Sequence, residues 1–125
     1  MEEQINLLRQ VSLDIRKAII QSLAEAGSGH IGGSLDLADI FTCLYFGIMR
    51  HDPARPQWDE RDRLILSIGH VAPVLYATLA HAGYFPKEEL LTLRKLGSRL
   101  QGHPGREHGL PGLELSAGSD RKSVV

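Results

Sequence analysis

The chain has 125 residues, of which 42% are hydrophobic and 23% charged, a composition typical of a soluble globular domain with one core. Fourteen basic against 15 acidic residues give a formal net charge of -1, which favours neither nucleic acid nor an anionic membrane surface as a partner. Because the chain has no secretion signal and no bilayer-spanning apolar run, we expect a cytoplasmic protein. Cys43 cannot form an internal disulfide, and its apolar surroundings predict burial.

Two helices are predicted in the first third of the chain. Apolar residues recur every three or four positions from Leu8 to Leu23, and Gly27 supplies a stop. Ser34 is predicted to cap a second helix that runs toward Gly47, with two aspartates near its positive end. The glycine-rich segment 28–33 between the helices is too rich in glycine to continue either of them.

The hydrophobic period changes after a proline-containing surface connection at 50–63. Segment 64–68 is a short, continuous apolar run, typical of a central parallel strand. The later predicted elements are a helix at 71–82 with Pro73 in its first turn, a short helix at 87–96, a polar loop at 97–111 and a second strand at 113–116. This order of helices and strands predicts an α/β fold.

Three histidines each follow a glycine, namely His30, His70 and His103. A Gly-His step lets the backbone turn sharply while the imidazole points into the space that the turn opens. The second step follows the predicted strand at 64–68, and open α/β sheets bind ligands at the carboxyl ends of their strands. The three steps together predict a site for an anionic, polyhydroxylated ligand.

The motifs that contain these histidines resemble the transketolase family. They are SGHIGGS at 28–34, an Arg-Asp-Arg lead into a strand that ends SIGH at 67–70, and GSRLQGHP at 97–104. The resemblance covers residues 5–119 and is closest to the N-terminal subunit of the split, two-gene form. It implies a thiamine-diphosphate-binding fold, the N-terminal part of a doubly wound parallel sheet flanked by helices. It also implies transfer of a two-carbon ketol unit from a ketose phosphate to an aldose phosphate, in the pentose phosphate pathway.

The resemblance also implies roles for individual residues. His30 and His103 correspond to the catalytic imidazoles that face the sugar hydroxyls and the reacting carbon. His70 corresponds to the imidazole near the thiazolium and diphosphate of the cofactor, and Gly118 and Ser119 to the start of the loop that meets its aminopyrimidine ring. An imidazole with a pKa near neutrality can donate to a developing alkoxide or accept a hydroxyl proton.

Other parts of such a site are expected outside this chain. The family holds a divalent metal on the cofactor's diphosphate with a Gly-Asp-Gly motif, which this chain lacks. Since Mg²⁺ prefers oxygen ligands, its ligands are expected beyond the end of this chain, and we assign no metal ligand within it. The resemblance implies sugar-phosphate substrates, a C-terminal transketolase subunit or half that supplies the activating glutamate, and homodimerisation. We expect the 125-residue chain alone to be inactive and to aggregate readily.

The sequence departs from the family at three places. Ile31 stands where proline is common, and Ile68 replaces a residue that is usually polar. After Ser119 the family continues Leu-Gly-Gln-Gly, whereas this chain reads DRKSVV. These six residues are encoded by GAT CGG AAG AGC GTC GTG, which is similar to a common sequencing-library adapter. We therefore expect an incomplete thiamine-diphosphate-binding domain over 1–119 and a non-native tail over 120–125.

Two other functions are compatible with parts of the pattern. Another thiamine-diphosphate enzyme, such as a deoxyxylulose-phosphate synthase, shares the Ser-Gly-His opening but resembles segment 60–104 less well. A three-histidine zinc site is disfavoured because the Gly-His steps lie 40 and 33 residues apart, without a local His-x-x-x-His pair. The remaining candidates are assigned packing or solvated surface roles: His51, His81, His108, Trp58, Arg61, Arg63, Arg94, Lys95 and Arg99.

Overall fold

A computed structural model describes residues 1–27, 29, 31–67, 71–102, 104 and 109–116. The elements are α1 (Glu2–Ala26), α2 (Gly32–Cys43), a π-helical turn (Leu44–Ile48), β1 (Ile65–Leu66), α3 (Ala72–Ala82), a 3₁₀ segment (Lys87–Thr92) and β2 (Leu115–Ser116). Within these ranges, no helix combines the length and apolarity needed to cross a bilayer. The predicted boundary after Ser119 and the tail at 120–125 lie outside the described residues.

The first helix follows the predicted apolar stripe. Ile15 and Ile19 are fully buried, and Leu23 is nearly so. Gly27 ends the helix in the left-handed conformation, with φ of 79° and its N–H donating to the carbonyl of Leu23 at 2.9 Å. Both the helix and its glycine stop were predictable because each depends on local sequence alone.

The second helix begins before its predicted cap. It starts at Gly32, and Ser34 lies fully buried in its first turn, where the hydroxyl donates to the carbonyl of Val71 at 3.4 Å. The prediction that Ser34 caps the helix is therefore wrong, since the hydroxyl joins α2 to the start of α3 instead. Asp39 lies further along α2, where hydrogen bonds from Arg16 and Ser12 of α1 lower its pKa to about 2.

The buried face of α2 also corrects the prediction for its cysteine. Ala38, Phe41 and Thr42 are buried, and Tyr45 continues the same face into the π-helical turn. Cys43 lies on another side of the helix and is exposed, so the expected burial is wrong. An apolar stretch of sequence shows which residues can be buried, but the face of the helix that packs against the core decides which residues are buried.

The two strands pair in parallel, as predicted for a strand of an α/β sheet. Ile65 lies opposite Leu115 and Leu66 opposite Ser116. Each strand has only two residues, shorter than the predicted runs at 64–68 and 113–116, and Ile65 is 49% exposed. A parallel strand is normally covered on both faces, and the described residues of this chain leave part of β1 open.

The third helix lies at the centre of the molecule. Every residue from Ala72 to Ala80 is buried, so this helix is covered on all sides, and Pro73 is tolerated in its first turn as predicted. It packs against both α1 and α2. The next predicted helix, at 87–96, is instead a 3₁₀ segment that ends at Thr92, because the chain turns at Arg94, where φ is +62°.

Candidate functional site

The five residues predicted to form the site lie outside the described ranges: His30, His70, His103, Gly118 and Ser119. The described residues nearest to them in sequence are Gly29, Ile31, Val71, Gly102, Pro104 and Ser116. These neighbours show where the chain segments that carry the predicted site enter and leave the described part of the fold.

The residues after the first two Gly-His steps are in contact. Ser34 donates its hydroxyl to the carbonyl of Val71, and a Cβ added to Gly33 would lie only 2.8 Å from Val71 Cγ1. Such a separation is shorter than real side chains tolerate, so glycine is needed at position 33 for this close approach. The first turn of α2 is thus held against the residue that directly follows His70 in sequence.

The glycines before His30 and His103 both lie against the side chain of Arg94. A Cβ added to Gly29 would lie 3.4 Å from Arg94 Nη1, and one added to Gly102 would lie 3.5 Å from Arg94 Nε. All three residues are exposed. One arginine therefore adjoins the chain on the N-terminal side of both histidines predicted to face the substrate.

The parallel strand pair brings the two predicted cofactor segments to one edge. The chain leaves β1 at Leu66, four positions before His70, and leaves β2 at Ser116, two positions before Gly118. Because the strands are parallel and in register, both exits lie at the carboxyl edge of the sheet. This is the edge at which open α/β sheets bind ligands.

The segment that leads to His103 is held by a hydrogen-bond network around Ser98. The Ser98 hydroxyl bonds to the Thr92 hydroxyl at 2.7 Å and accepts from the backbone N–H of Leu100 at 3.0 Å, while its carbonyl accepts from the Gln101 amide. Tyr76 of α3 donates to the carbonyl of Gln101 at 2.6 Å, and burial raises the pKa of this phenol. The polar loop predicted at 97–111 is therefore fixed to the core over its first residues.

An ion pair joins the two strands at their N-terminal ends. Arg61 donates two hydrogen bonds to the Glu114 carboxylate, at 2.7 and 3.0 Å, and the two side chains are only 9% and 15% exposed. These hydrogen bonds raise the pKa of Arg61. The prediction of a solvated surface role for Arg61 is wrong, because Glu114, which is 53 positions away in sequence, covers it.

Two histidines outside the predicted site have packing roles. His51 lies between Tyr84, whose hydroxyl is 2.7 Å from its Nδ1, and the backbone carbonyl of Tyr45. Burial raises the pKa of Tyr84 to about 12, so the phenol stays neutral. His81 bonds to the carbonyl of Ala77, one turn earlier in α3. Their predicted structural roles are confirmed, whereas His108 lies outside the described residues.

The remaining predicted surface residues are mostly paired. Lys95 bonds to Glu25 at 3.0 Å, and Arg99 binds the Glu89 carboxylate through two hydrogen bonds at 2.8 and 2.7 Å. Among the described residues, no group of three or more histidine, cysteine, aspartate or glutamate side chains is placed to hold a metal ion. The sequence did not predict the contacts of Arg61, Ser98 and Tyr76, although Arg61 and Ser98 both lie within motifs quoted for the family resemblance.

Comparison with known proteins decides the family. Residues 4–120 match the family model described as transketolase, thiamine diphosphate binding domain. The chain belongs to the transketolase family. Its predicted fold class is confirmed by the transketolase from Leishmania mexicana, which superposes with a TM-score of 0.84 at 33% identity over 90% of this chain.

Two curated relatives are themselves subunits. The chain is 44% identical over 118 residues, 94% of its length, to the 6-deoxy-6-sulfo-D-fructose transketolase subunit SqwG from Clostridium sp. (strain MSTE9). It is 40% identical over 116 residues, 93% of its length, to a subunit of the apulose-4-phosphate transketolase from Phocaeicola vulgatus. The chain spans 42% and 41% of these relatives and 17% of the Leishmania mexicana protein, so it corresponds to an N-terminal fragment of a transketolase.

Proposed function

We propose that the chain forms one wall of the active site of a cytoplasmic transketolase that moves a two-carbon ketol unit from a ketose phosphate to an aldose phosphate. The observation that carries this proposal is the parallel pairing of β1 with β2, in which both strand exits precede the predicted cofactor-binding segments. Within the transketolase family, this arrangement favours thiamine diphosphate at the carboxyl edge of the sheet.

The residues of the chain fit this cofactor at two points. In sequence, His70 follows β1 by four positions, and Gly118 and Ser119 follow β2 by two and three positions. In the proposal, His70 is near the thiazolium and diphosphate, and the backbone of Gly118 and Ser119 meets the aminopyrimidine. Thiamine diphosphate, when bound, supplies the carbanion chemistry, and the protein supplies orientation and proton transfer.

His30 and His103 are the proposed catalytic residues of this wall. Each imidazole nitrogen can donate a hydrogen bond to a sugar hydroxyl or carbonyl oxygen and can accept a hydroxyl proton as it is released. The described neighbours Gly29 and Gly102 are both exposed, as access to a polyhydroxylated substrate requires. General acid–base groups of this kind typically contribute about 10²–10⁴-fold to the rate.

The proposed site also needs groups from outside these residues. We propose that Mg²⁺ binds the diphosphate through oxygen ligands that follow position 119 in the complete protein, since the ion prefers octahedral oxygen coordination. The C-terminal transketolase subunit or half would supply the remaining wall, and homodimerisation would complete the site. Two of the relatives carry the word subunit in their names, which supports a second polypeptide.

A reaction assay tests this proposal against the related alternative. The complete enzyme, reconstituted with its C-terminal half, is given a ketose phosphate, an aldose phosphate, Mg²⁺ and thiamine diphosphate. We expect ketol transfer that is lost when thiamine diphosphate is withheld, and we expect none from the 125-residue chain alone. A parallel reaction replaces the ketose phosphate with pyruvate, and release of carbon dioxide there, without ketol transfer in the first reaction, would identify a deoxyxylulose-phosphate synthase type of enzyme. Stoichiometric zinc with no response to thiamine diphosphate would overturn both assignments.

A further inference from the structure

Arg94 links two parts of the chain that are far apart in sequence. Its Nη1 lies near Gly29, in the connection between α1 and α2, and its Nε and Cδ lie near Gly102, where an added Cβ would be 3.5 and 3.7 Å away. Each of these glycines directly precedes a histidine of a Gly-His step, His30 or His103. The side chain therefore contacts the polypeptide one residue before each proposed catalytic imidazole.

The backbone of Arg94 is held in a conformation that arginine rarely adopts. Its φ of +62° is the only positive φ of a non-glycine residue within the described ranges. Glycine or asparagine would take this conformation at a lower conformational cost. Its N–H donates to the carbonyl of Leu100 at 2.7 Å, and the adjacent Leu93 and Leu100 are buried. A backbone outlier at a non-glycine residue often marks a functional position.

The neighbouring basic residues do not share this placement. Lys95 bonds to Glu25 of α1, and Arg99 binds Glu89 of the 3₁₀ segment. The Arg94 side chain lies near Gly29 and Gly102. The contrast makes Lys95 a suitable control for the loss of one positive charge from the same loop.

We propose that Arg94 is a positioning residue, which sets the separation of the two chain segments that carry His30 and His103. The inference rests on the proposed function, in which those two imidazoles face the substrate. A Cβ on Gly29 would be 3.4 Å from Arg94 Nη1, and one on Gly102 would be 3.5 Å from Arg94 Nε, so the side chain lies between the two segments and its planar guanidinium limits how closely they approach. Since a misplacement of about 1 Å can cost about 100-fold in rate, a spacer at this point affects turnover without touching the substrate.

The test uses the complete enzyme with three variants. Arg94→Gly removes the side chain, and glycine adopts a positive φ without steric strain. The melting temperature should therefore stay within about 2 °C of that of the parent enzyme. Arg94→Lys keeps the charge but loses the planar group, and Lys95→Ala removes a charge from the next residue. We expect Arg94→Gly to lower kcat for ketol transfer by about 10- to 100-fold, with KM changed by less than about threefold.

The controls separate positioning from charge and from folding. Arg94→Lys should recover only part of kcat, and Lys95→Ala should keep it within about twofold. A crystal structure of the complete Arg94→Gly enzyme should show the Cα–Cα separation of His30 and His103 changed by about 1 Å. An unchanged kcat, or an unchanged separation of these histidines, would overturn the inference.

The activities of the histidine variants show whether a negative result contradicts this inference or the proposed function. If His30→Ala and His103→Ala lose activity while Arg94→Gly keeps it, the role of Arg94 is wrong and the proposed function stands. If the two histidine variants retain full activity, the proposed function is wrong, and the inference that depends on it falls with it.

Discussion

The helical layer and the strand pair of this chain differ in how completely they are packed. Ile15 and Ile19 of α1 and Leu79 of α3 are fully buried by residues of the chain itself. In the sheet, β1 and β2 have two residues each, and Ile65 is 49% exposed. Parallel strands are usually covered on both faces, so the described residues place most of the core in the helical layer and leave the strand pair partly open.

This difference bears on the site because the proposed site lies at the partly open strand pair. Both strand exits precede predicted cofactor-binding residues in sequence, and the glycines beside Arg94 are exposed. The relatives extend well beyond the matched region, which covers 42% of the Clostridium protein and 17% of the Leishmania mexicana chain. Stability should therefore depend on the helices of this chain, and activity on groups that it supplies together with the rest of the enzyme.

The largest predicted effect is on the helical layer. Leu79→Ala removes a fully buried side chain from α3 and should lower the free energy of unfolding of the 125-residue chain by about 3 kcal/mol, through lost burial and the cavity left behind. Urea denaturation at low protein concentration measures this change. Ile65→Ala in the open strand is the matched control, and its expected effect is within about 0.5 kcal/mol. Equal losses for both variants would contradict the difference between the layers.

A smaller effect is predicted for the ion pair that joins the strands. Arg61→Met leaves the largely covered Glu114 carboxylate without its partner, and the melting temperature should fall by about 5 °C. Arg61→Met combined with Glu114→Met should recover most of the loss, because no unpaired charge remains. Arg50 and Asp62 form an exposed pair of the same type, so Arg50→Met should change the melting temperature by less than about 1 °C. If Arg50→Met lowered the melting temperature as much as Arg61→Met does, burial of the Arg61–Glu114 pair would not explain its effect on stability.

The sequence predicted those parts of the fold that depend on neighbouring residues. The apolar stripe of α1 and its stop at Gly27 are confirmed, as is the parallel character of the strand near 65. The errors have long-range causes. Ser34 does not cap its helix because Val71, 37 positions away, accepts its hydrogen bond, and Arg61 is not solvated because Glu114 covers it.

The candidate site was predictable to a different extent. The motifs around the three Gly-His steps identified the family, which the match over residues 4–120 confirms. The individual roles of His30, His70, His103, Gly118 and Ser119 stay predictions. Arg94 was missed because a helix was expected at 87–96, and a positive φ at a non-glycine residue leaves no trace in a hydrophobic pattern.

The kinetics of histidine variants test the central claim most directly. His30→Ala and His103→Ala are compared with His81→Ala, which removes an imidazole bonded only to its own helix among the described contacts. In the complete enzyme with thiamine diphosphate and Mg²⁺, we predict that kcat/KM for ketol transfer falls by about 10²–10⁴-fold for the first two and stays within about twofold for the third. Equal kcat/KM values for all three variants would contradict the assignment of a substrate-facing wall to this chain.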